Sequence, residues 1–257
     1  MLKLLVIGIG AGNPEHMTVQ AIKALNRADI VLLPRKGSAK EDLAELRREI
    51  CRRFLETKKT RIVEFDLPRR DGGDAYLKTV DDWHAAIAAT YRDLLARELP
   101  DGGTAAFLVW GDPSLYDSTL RILDRLRTTH SVAFEPEVIP GITSVQALAA
   151  SHAMPLNTIG NPVLTTTGRK LRDAPPDAAD TIVVMLDGDM SFRHVAQDDY
   201  AIYWGAYLGL EQEMIVAGDL AEKASEIEAK RTAAREENGW IMDVYVLKRK
   251  GGKGLNG

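Results

Sequence analysis

Three short segments carry the residue types from which a small-molecule site is built. Gly111-Asp112-Pro113 follows the apolar run TAAFLVW (104–110), Pro140-Gly141-Ile142-Thr143-Ser144 follows VAFEPEVI (132–139), and Ile7-Gly8-Ile9-Gly10-Ala11-Gly12-Asn13-Pro14 closes KLLVIGI (3–9). In each, strand-forming residues stop at a glycine, whose missing Cβ lets a ligand or another backbone come close, and a proline keeps the strand from continuing. Loops that leave the carboxyl ends of parallel strands are where α/β proteins bind ligands. The first loop invites comparison with the dinucleotide fingerprint G-x-G-x-x-G and fails it. Counted from Gly8, the third glycine position holds Asn13, and Asp29 lies at the start of the second strand-like run, where a ribose-binding acid belongs near the end.

The elements that must hold these loops are legible as a rhythm. Strand-like runs at 3–9, 29–33, 61–65 and 104–110 alternate with helical patterns at 18–27, 40–56, 78–98 and 117–128, which predicts an α/β domain on a largely parallel sheet. Thr18 is placed to cap the first helix and Asp117 the fourth, while Leu120, Leu123 and Leu126 keep one face of the fourth toward the sheet. Thr143 and Gln146 fit a capping box on a helix over 144–153. Beyond it, runs at 161–167, 181–187, 200–204, 213–218 and 240–248 are separated by short loops and predict hairpins in a mixed or antiparallel sheet. Asp219 and Glu222 predict a capping box on a charged helix ending near Gly239. The expected division is an N-terminal α/β domain over 1–137, a C-terminal α/β domain over 138–248, and a disordered tail over 249–257, where KRKGGKGLNG offers little to pack.

Bulk properties narrow the function class. A chain of 257 residues, 45% hydrophobic and 27% charged, has globular composition. A net charge of -4 argues against a general nucleic-acid binder. Cys51 is the one cysteine, so no disulfide framework and no cysteine metal site can form within the chain, and no bound metal is expected. The apolar start reads as a first strand, not a signal peptide, and no window has the roughly 20 apolar residues of a membrane span. A cytoplasmic protein is expected.

Taken together, the loops resemble those of the tetrapyrrole methylases, α/β enzymes of two domains with S-adenosylmethionine in the cleft between them. The family pattern V-G-x-G-P-G-x-P-x-x-L-T is similar to IGIGAGNPEHMT (7–18), with Ala11 in place of the usual proline; G-D-P-x-x-Y/F is matched by 111–116, and V-P-G-I-T-S by 139–144. TIVVMLDG (181–188) and YLGLEQEMIVAGDL (207–220) match two later elements, so the resemblance spans 3–248. It implies cofactor contacts at Ala11, Trp110, Gly111, Asp112, Leu115, Thr143, Ser144, Met185 or Leu186, and Ala206. Thr143 thus has two roles in competition, helix cap and cofactor contact.

Within the family, NPEHMT and WGDPSLYDSTLRIL point to the branch that methylates a precorrin at C1 and releases acetate in cobalamin biosynthesis. The C20-methylating relative is the alternative inside the family; outside it stand a non-tetrapyrrole methylase of the same fold and an adenine-nucleotide-binding domain. A precorrin bears several carboxylates, so Arg35, Lys36, Arg69, Arg70 and Arg169, with Lys170 and Arg172, are the candidate substrate contacts. Releasing acetate calls for a general base. His16 comes first because imidazole titrates near neutrality, with Asp187 and Glu15 behind it. His84 and His130 read as structural, and His152 and His194 stay open. A homodimer is expected, from the resemblance and because sheet edges in the second half need cover.

Overall fold

Leu4 and Val6 fall on one face of the first strand, Leu5 and Ile7 on the other, and all four are fully buried. A strand apolar on both faces needs helices on both. The computed structural model, which describes residues 1–35, 41–56, 59–68, 76–176 and 179–251, supplies them. Strands β1 (Leu2–Gly8), β2 (Ile30–Arg35), β3 (Arg61–Asp66), β4 (Gly103–Val109) and β5 (Glu135–Ile139) form an all-parallel sheet in the order β3-β2-β4-β1-β5. Helices α3 (Tyr76–Glu98) and α4 (Thr119–His130) cover the face of Leu4, Val6, Leu32 and Phe107. Helices α1 (Val19–Leu25) and α2 (Glu41–Phe54) cover the face of Leu5, Ile7, Val31 and Leu108. The strand order sets β4, β1 and β5 side by side, so the loops leaving their carboxyl ends are neighbours.

Two caps work as the sequence predicts. Thr18 Oγ1 accepts from the Ala21 N–H at 3.0 Å. Asp117 Oδ1 accepts from the Thr119 N–H at 2.6 Å, acting from one position before the N-cap Ser118. Such a cap stabilises a helix by about 1 kcal/mol.

The chain divides into compact units Met1–Thr143 and Ser144–Gly257. Strand β5 pairs with β1 from Lys3 opposite Glu135 to Ile7 opposite Ile139, so residues 138–139, expected to open the second half, complete the first sheet. The second unit holds α5 (Ser144–Ser151), β6 (Val163–Thr167), α6 (Gly168–Asp173), β7 (Thr181–Met185), β8 (Tyr200–Ala206), β9 (Met214–Asp219), α7 (Leu220–Asn238) and β10 (Asp243–Arg249). Its sheet runs β6-β7-β10-β8-β9; β6 is parallel to β7 and every other pair is antiparallel. The last strand among the described residues thus enters the middle of the sheet.

Two expectations fail here for local electrostatic reasons. Asp219 stands at the N-cap of α7, but its side chain makes no cap hydrogen bond; the carboxylate pairs with Lys250 Nζ at 2.9 Å. Residues 249 and 250, expected in the tail, are held: β10 runs to Arg249, and the Lys250 N–H donates to the Asp199 carbonyl at 2.7 Å. Residues 252–257 lie outside the described residues. Gly239, with φ of 71°, ends α7 in the left-handed conformation, as predicted.

Candidate active site

In the first unit two loops are joined backbone to backbone and a third is tied to them by a side chain. The Ile9 N–H donates to the Val109 carbonyl at 2.9 Å, and Gly10 and Gly111 exchange N–H···O bonds of 3.3 and 2.8 Å as an isolated bridge. Asp112 ties in the third loop: its Oδ2 accepts from the Gly141 N–H at 2.8 Å, while Oδ1 accepts from the Ser114 N–H at 2.8 Å and from the Ser114 hydroxyl. Burial alone pushes the Asp112 carboxyl up, but these donors outweigh it and hold the group below the usual carboxylate range. The approach is so close that a Cβ on Gly141 would lie 2.1 Å from the Gly111 carbonyl oxygen, and one on Gly8 2.6 Å from the Gly141 nitrogen.

Gly111 itself is different. Its φ is +67°, yet a Cβ there would meet only Thr143 Cα, at 3.8 Å. The glycine is required by conformation, and the space beside it is open. Tyr116, at the end of the same turn, also has positive φ (52°) and is 40% exposed, a costly conformation for an aromatic residue. Ala11 is buried, whereas Trp110, Asp112, Leu115 and Thr143 are half-buried. The expected contacts of the first unit therefore cluster on adjacent strand ends, with the Asp112 side chain engaged in holding the loops.

The other expected residues separate. His16 ends a 3₁₀ turn (Pro14–His16), is half-buried, and packs on Gly10, where a Cβ would lie 2.3 Å from His16 Cβ. Glu15 is exposed and ion-paired to Arg53 at 2.9 Å. Arg35, at the end of β2, forks onto Asp66 with two contacts of 3.1 Å. Arg169 is exposed on α6, and Arg172 pairs with Asp189 at 2.9 Å. Lys36, Arg69 and Arg70 lie outside the described residues. Among the histidines, His84 is buried on α3 beside Trp83, His130 sits 3.3 Å from Arg92, and His194 is exposed. His152 is engaged by the Trp204 carbonyl at 3.0 Å and by the edge of Tyr203.

In the second unit the strand ends are shaped differently. Leu186, directly after β7, has φ of 53° and is 66% exposed, and Tyr207, directly after Ala206 and β8, has φ of 52° with its ring buried. Asp187 is buried, and its carboxylate accepts four hydrogen bonds. Oδ1 takes the Asp189 N–H at 3.0 Å and the Ser191 hydroxyl at 2.9 Å; Oδ2 takes the Ser191 N–H at 2.6 Å and the Tyr245 hydroxyl at 2.7 Å. A carboxylate has about four lone-pair sites. All are used, so Asp187 is built as an anchor and has no site left to take a proton from water. That removes the reason for naming it a base, which rested on its place at a strand end.

Sequence reading missed the partners on the other side of this turn. Arg231, buried on α7, donates to the Gly188 carbonyl at 3.2 Å and to the Asp187 carbonyl, and its Nε meets Asp243 Oδ2 at 3.0 Å. The same Asp243 oxygen accepts from Trp204 Nε1 at 2.9 Å. The one sequence signal was a charged residue at a position whose helical neighbours Ile227 and Ala234 are apolar and buried.

The chain is similar to known proteins of one family. The family model of the tetrapyrrole (corrin/porphyrin) methylases matches residues 3–224. A precorrin-6A synthase (deacetylating) of a Sinorhizobium species is 55% identical over 250 residues, 97% of this chain and 96% of that protein. A precorrin-2 C(20)-methyltransferase of a Sinorhizobium species is 31% identical over 155 residues, 60% of this chain and 59% of that protein. Among solved structures, a cobalamin-synthesis-related protein (CobF) of Corynebacterium diphtheriae superposes with a TM-score of 0.83 at 38% identity, covering 96% of this chain and 98% of that one.

Proposed function

The chain belongs to the tetrapyrrole methylases, and on that footing we propose that it transfers the methyl group of S-adenosylmethionine to C1 of precorrin-5 and releases acetate, forming precorrin-6A in aerobic cobalamin biosynthesis. The observation that carries this reading is the extent of the likeness. The precorrin-6A synthase (deacetylating) matches 97% of the chain at 55% identity, against 60% at 31% for the precorrin-2 C(20)-methyltransferase.

The residues present fit S-adenosylmethionine at one checkable point, the open side of Gly111. We assign the cofactor to Ala11, Trp110, Gly111, Leu115 and Thr143 in the first unit and to Ser144, Met185, Leu186 and Ala206 in the second, with Asp112 shaping the loops. When bound, it supplies a methyl already activated by the sulfonium. What the chain must add is placement, worth several kcal/mol of barrier when reacting atoms are held in line. Arg35 and Arg169, with Lys36, Arg69 and Arg70, are assigned to the rim carboxylates of the macrocycle.

Acetate release needs a base. We assign His16, whose imidazole nitrogen can accept a proton and which is seated on Gly10 inside the joined loops. It takes the proton of a water that adds to the acetyl carbonyl; the acetyl–ring bond breaks, acetate leaves, and the bonding electrons stay on the ring carbon that accepts the methyl. Incubating the protein with precorrin-5 and S-adenosylmethionine should yield S-adenosylhomocysteine and acetate in equal amounts. His16→Ala should lower acetate release at saturating substrate by ~10²–10⁴ and leave affinity for S-adenosylhomocysteine unchanged. Release within about threefold of wild type is too small a change for a lost base and would reassign His16 to positioning.

The protein is also proposed to pair with a second copy of itself. The edge strands β6 and β9 present Leu164 and Ile215, 40% and 41% exposed. Light scattering at micromolar concentration should give twice the chain mass; a monomer removes this assignment. A cytoplasmic setting suits the single cysteine, Cys51, whose thiol burial pushes up to about 12 and so keeps protonated. No helix among the described residues is long and apolar enough to cross a membrane.

A further inference from the structure

The turn after β7 combines three features that conflict unless something holds it. Leu186 is in a left-handed conformation unfavourable for a branched-chain residue, its side chain is 66% exposed, and the residue next to it is a buried carboxylate. Relaxing Leu186 to an ordinary strand or helix conformation would turn the following backbone and drag Asp187 from its donors. The turn is therefore fastened from two sides. On one side the Asp187 carboxylate collects Asp189, Ser191 and the Tyr245 hydroxyl, and it lies so near α6 that a Cβ on Gly168 would be 2.2 Å from Oδ1. On the other, Arg231 grips the carbonyls of Asp187 and Gly188, and its own charge is met by Asp243 at 3.0 Å, with both side chains 7% exposed.

Buried charges cost desolvation, and a buried ion pair is weak as a source of stability. Four polar side chains spent on a turn of three residues point to the turn's shape as the thing being secured. We propose that Asp187, Tyr245, Arg231 and Asp243 form a clamp that presents the Leu186 backbone and side chain to the cofactor, which makes Asp187 and Arg231 positioning residues for cofactor binding. This rests on the methyltransferase reading above. Every group that would hold the turn is within the second unit, and none has to touch cofactor or macrocycle.

The clamp and a purely architectural role differ in what they move. Tyr245→Phe removes one donor from Asp187 and keeps the ring that packs edge-on against Phe192, with centroids 5.4 Å apart. Asp187→Asn keeps the shape and loses two acceptor sites, since its amide nitrogen cannot receive the Asp189 or Ser191 donors. Calorimetry with S-adenosylhomocysteine should show about tenfold weaker binding for Tyr245→Phe and a larger loss for Asp187→Asn, with turnover of Tyr245→Phe at saturating S-adenosylmethionine within about twofold of wild type. In amide hydrogen exchange, the Asp189 and Ser191 N–H groups should lose protection in both variants while the β10 ladder keeps it. Unchanged affinity in Tyr245→Phe and in folded Asp187→Asn overturns the clamp, as does a hundredfold fall in saturated turnover with affinity intact, the signature of a general base. Should Asp187→Asn fail to fold, Tyr245→Phe decides alone. Wild-type protein that takes no S-adenosylhomocysteine overturns the functional reading and the clamp together; wild type that binds, with variants that bind equally, overturns only the clamp.

Discussion

The two units solve the same problem, a sharp turn at the carboxyl end of a strand, with different materials. In the first, the loops after β1 and β4 are joined by main chain, and glycines at 8 and 141 let the loop after β5 approach them within distances that a Cβ would forbid. One carboxylate, Asp112, completes the arrangement. In the second, the turn after β7 keeps a strained non-glycine residue and is held by buried charges from α7 and β10. Main-chain joints leave little room for adjustment and leave side chains free for ligands. Side-chain clamps allow a bulky residue such as Leu186 at the apex, at the cost of burying ionised groups.

The largest effect that could break this contrast is at Arg231. Arg231→Met leaves the Asp243 carboxylate buried without its cation and should destabilise the protein by about 3–5 kcal/mol in urea unfolding. Burial already holds the Asp243 carboxyl above its usual range despite Arg231, so the lone acid should take up a proton and the loss should shrink as pH falls. A loss under about 0.5 kcal/mol, the range of ordinary surface substitutions, would place the holding power elsewhere.

Next come two alanines that the main-chain account separates. At Gly141 a Cβ meets the Gly111 carbonyl at 2.1 Å, so Gly141→Ala should cost about 3 kcal/mol, near the top of the range for overpacking, because backbone must move. At Gly111 the Cβ has room, so Gly111→Ala should cost only the left-handed penalty, about 1–2 kcal/mol, and act mainly on affinity for S-adenosylhomocysteine. Equal stability losses at the two positions would dissolve the distinction between a joint and an open wall.

The smallest effect concerns Asp112. Its carboxyl is held below the range of an unfolded aspartate, so its contribution is fully present above about pH 4 and is lost as pH falls through the folded value. Asp112→Asn should flatten the stability profile below about pH 4, read as urea midpoints at successive pH values. An unchanged slope would mean that the loop tie does not depend on charge.

The same contrast explains what the sequence revealed. Glycine and proline punctuation is local chemistry, so the three loops of the first unit, the alternation of strands and helices, and the Thr18 cap were all readable from adjacent residues. Strand order was not, because β4 enters between β1 and β2, and β10 between β7 and β8, through pairings distant in sequence. The clamp was hidden for the same reason: Arg231 is 44 positions from Asp187, and Tyr245 is 58. Asp219 was misjudged as a cap because its competitor, Lys250, lies on a part of the chain that composition marks as a tail. Asp187 had a strand-end position suited to catalysis, and only its four donors show where the carboxylate is committed.

The reaction is tested by offering the purified protein two substrates side by side, precorrin-5 and precorrin-2, each with methyl-labelled S-adenosylmethionine, and following label, mass and free acetate. Precorrin-5 should gain one label and release one acetate per turnover while precorrin-2 stays unlabelled. Labelling of precorrin-2, or of precorrin-5 without acetate, would contradict it.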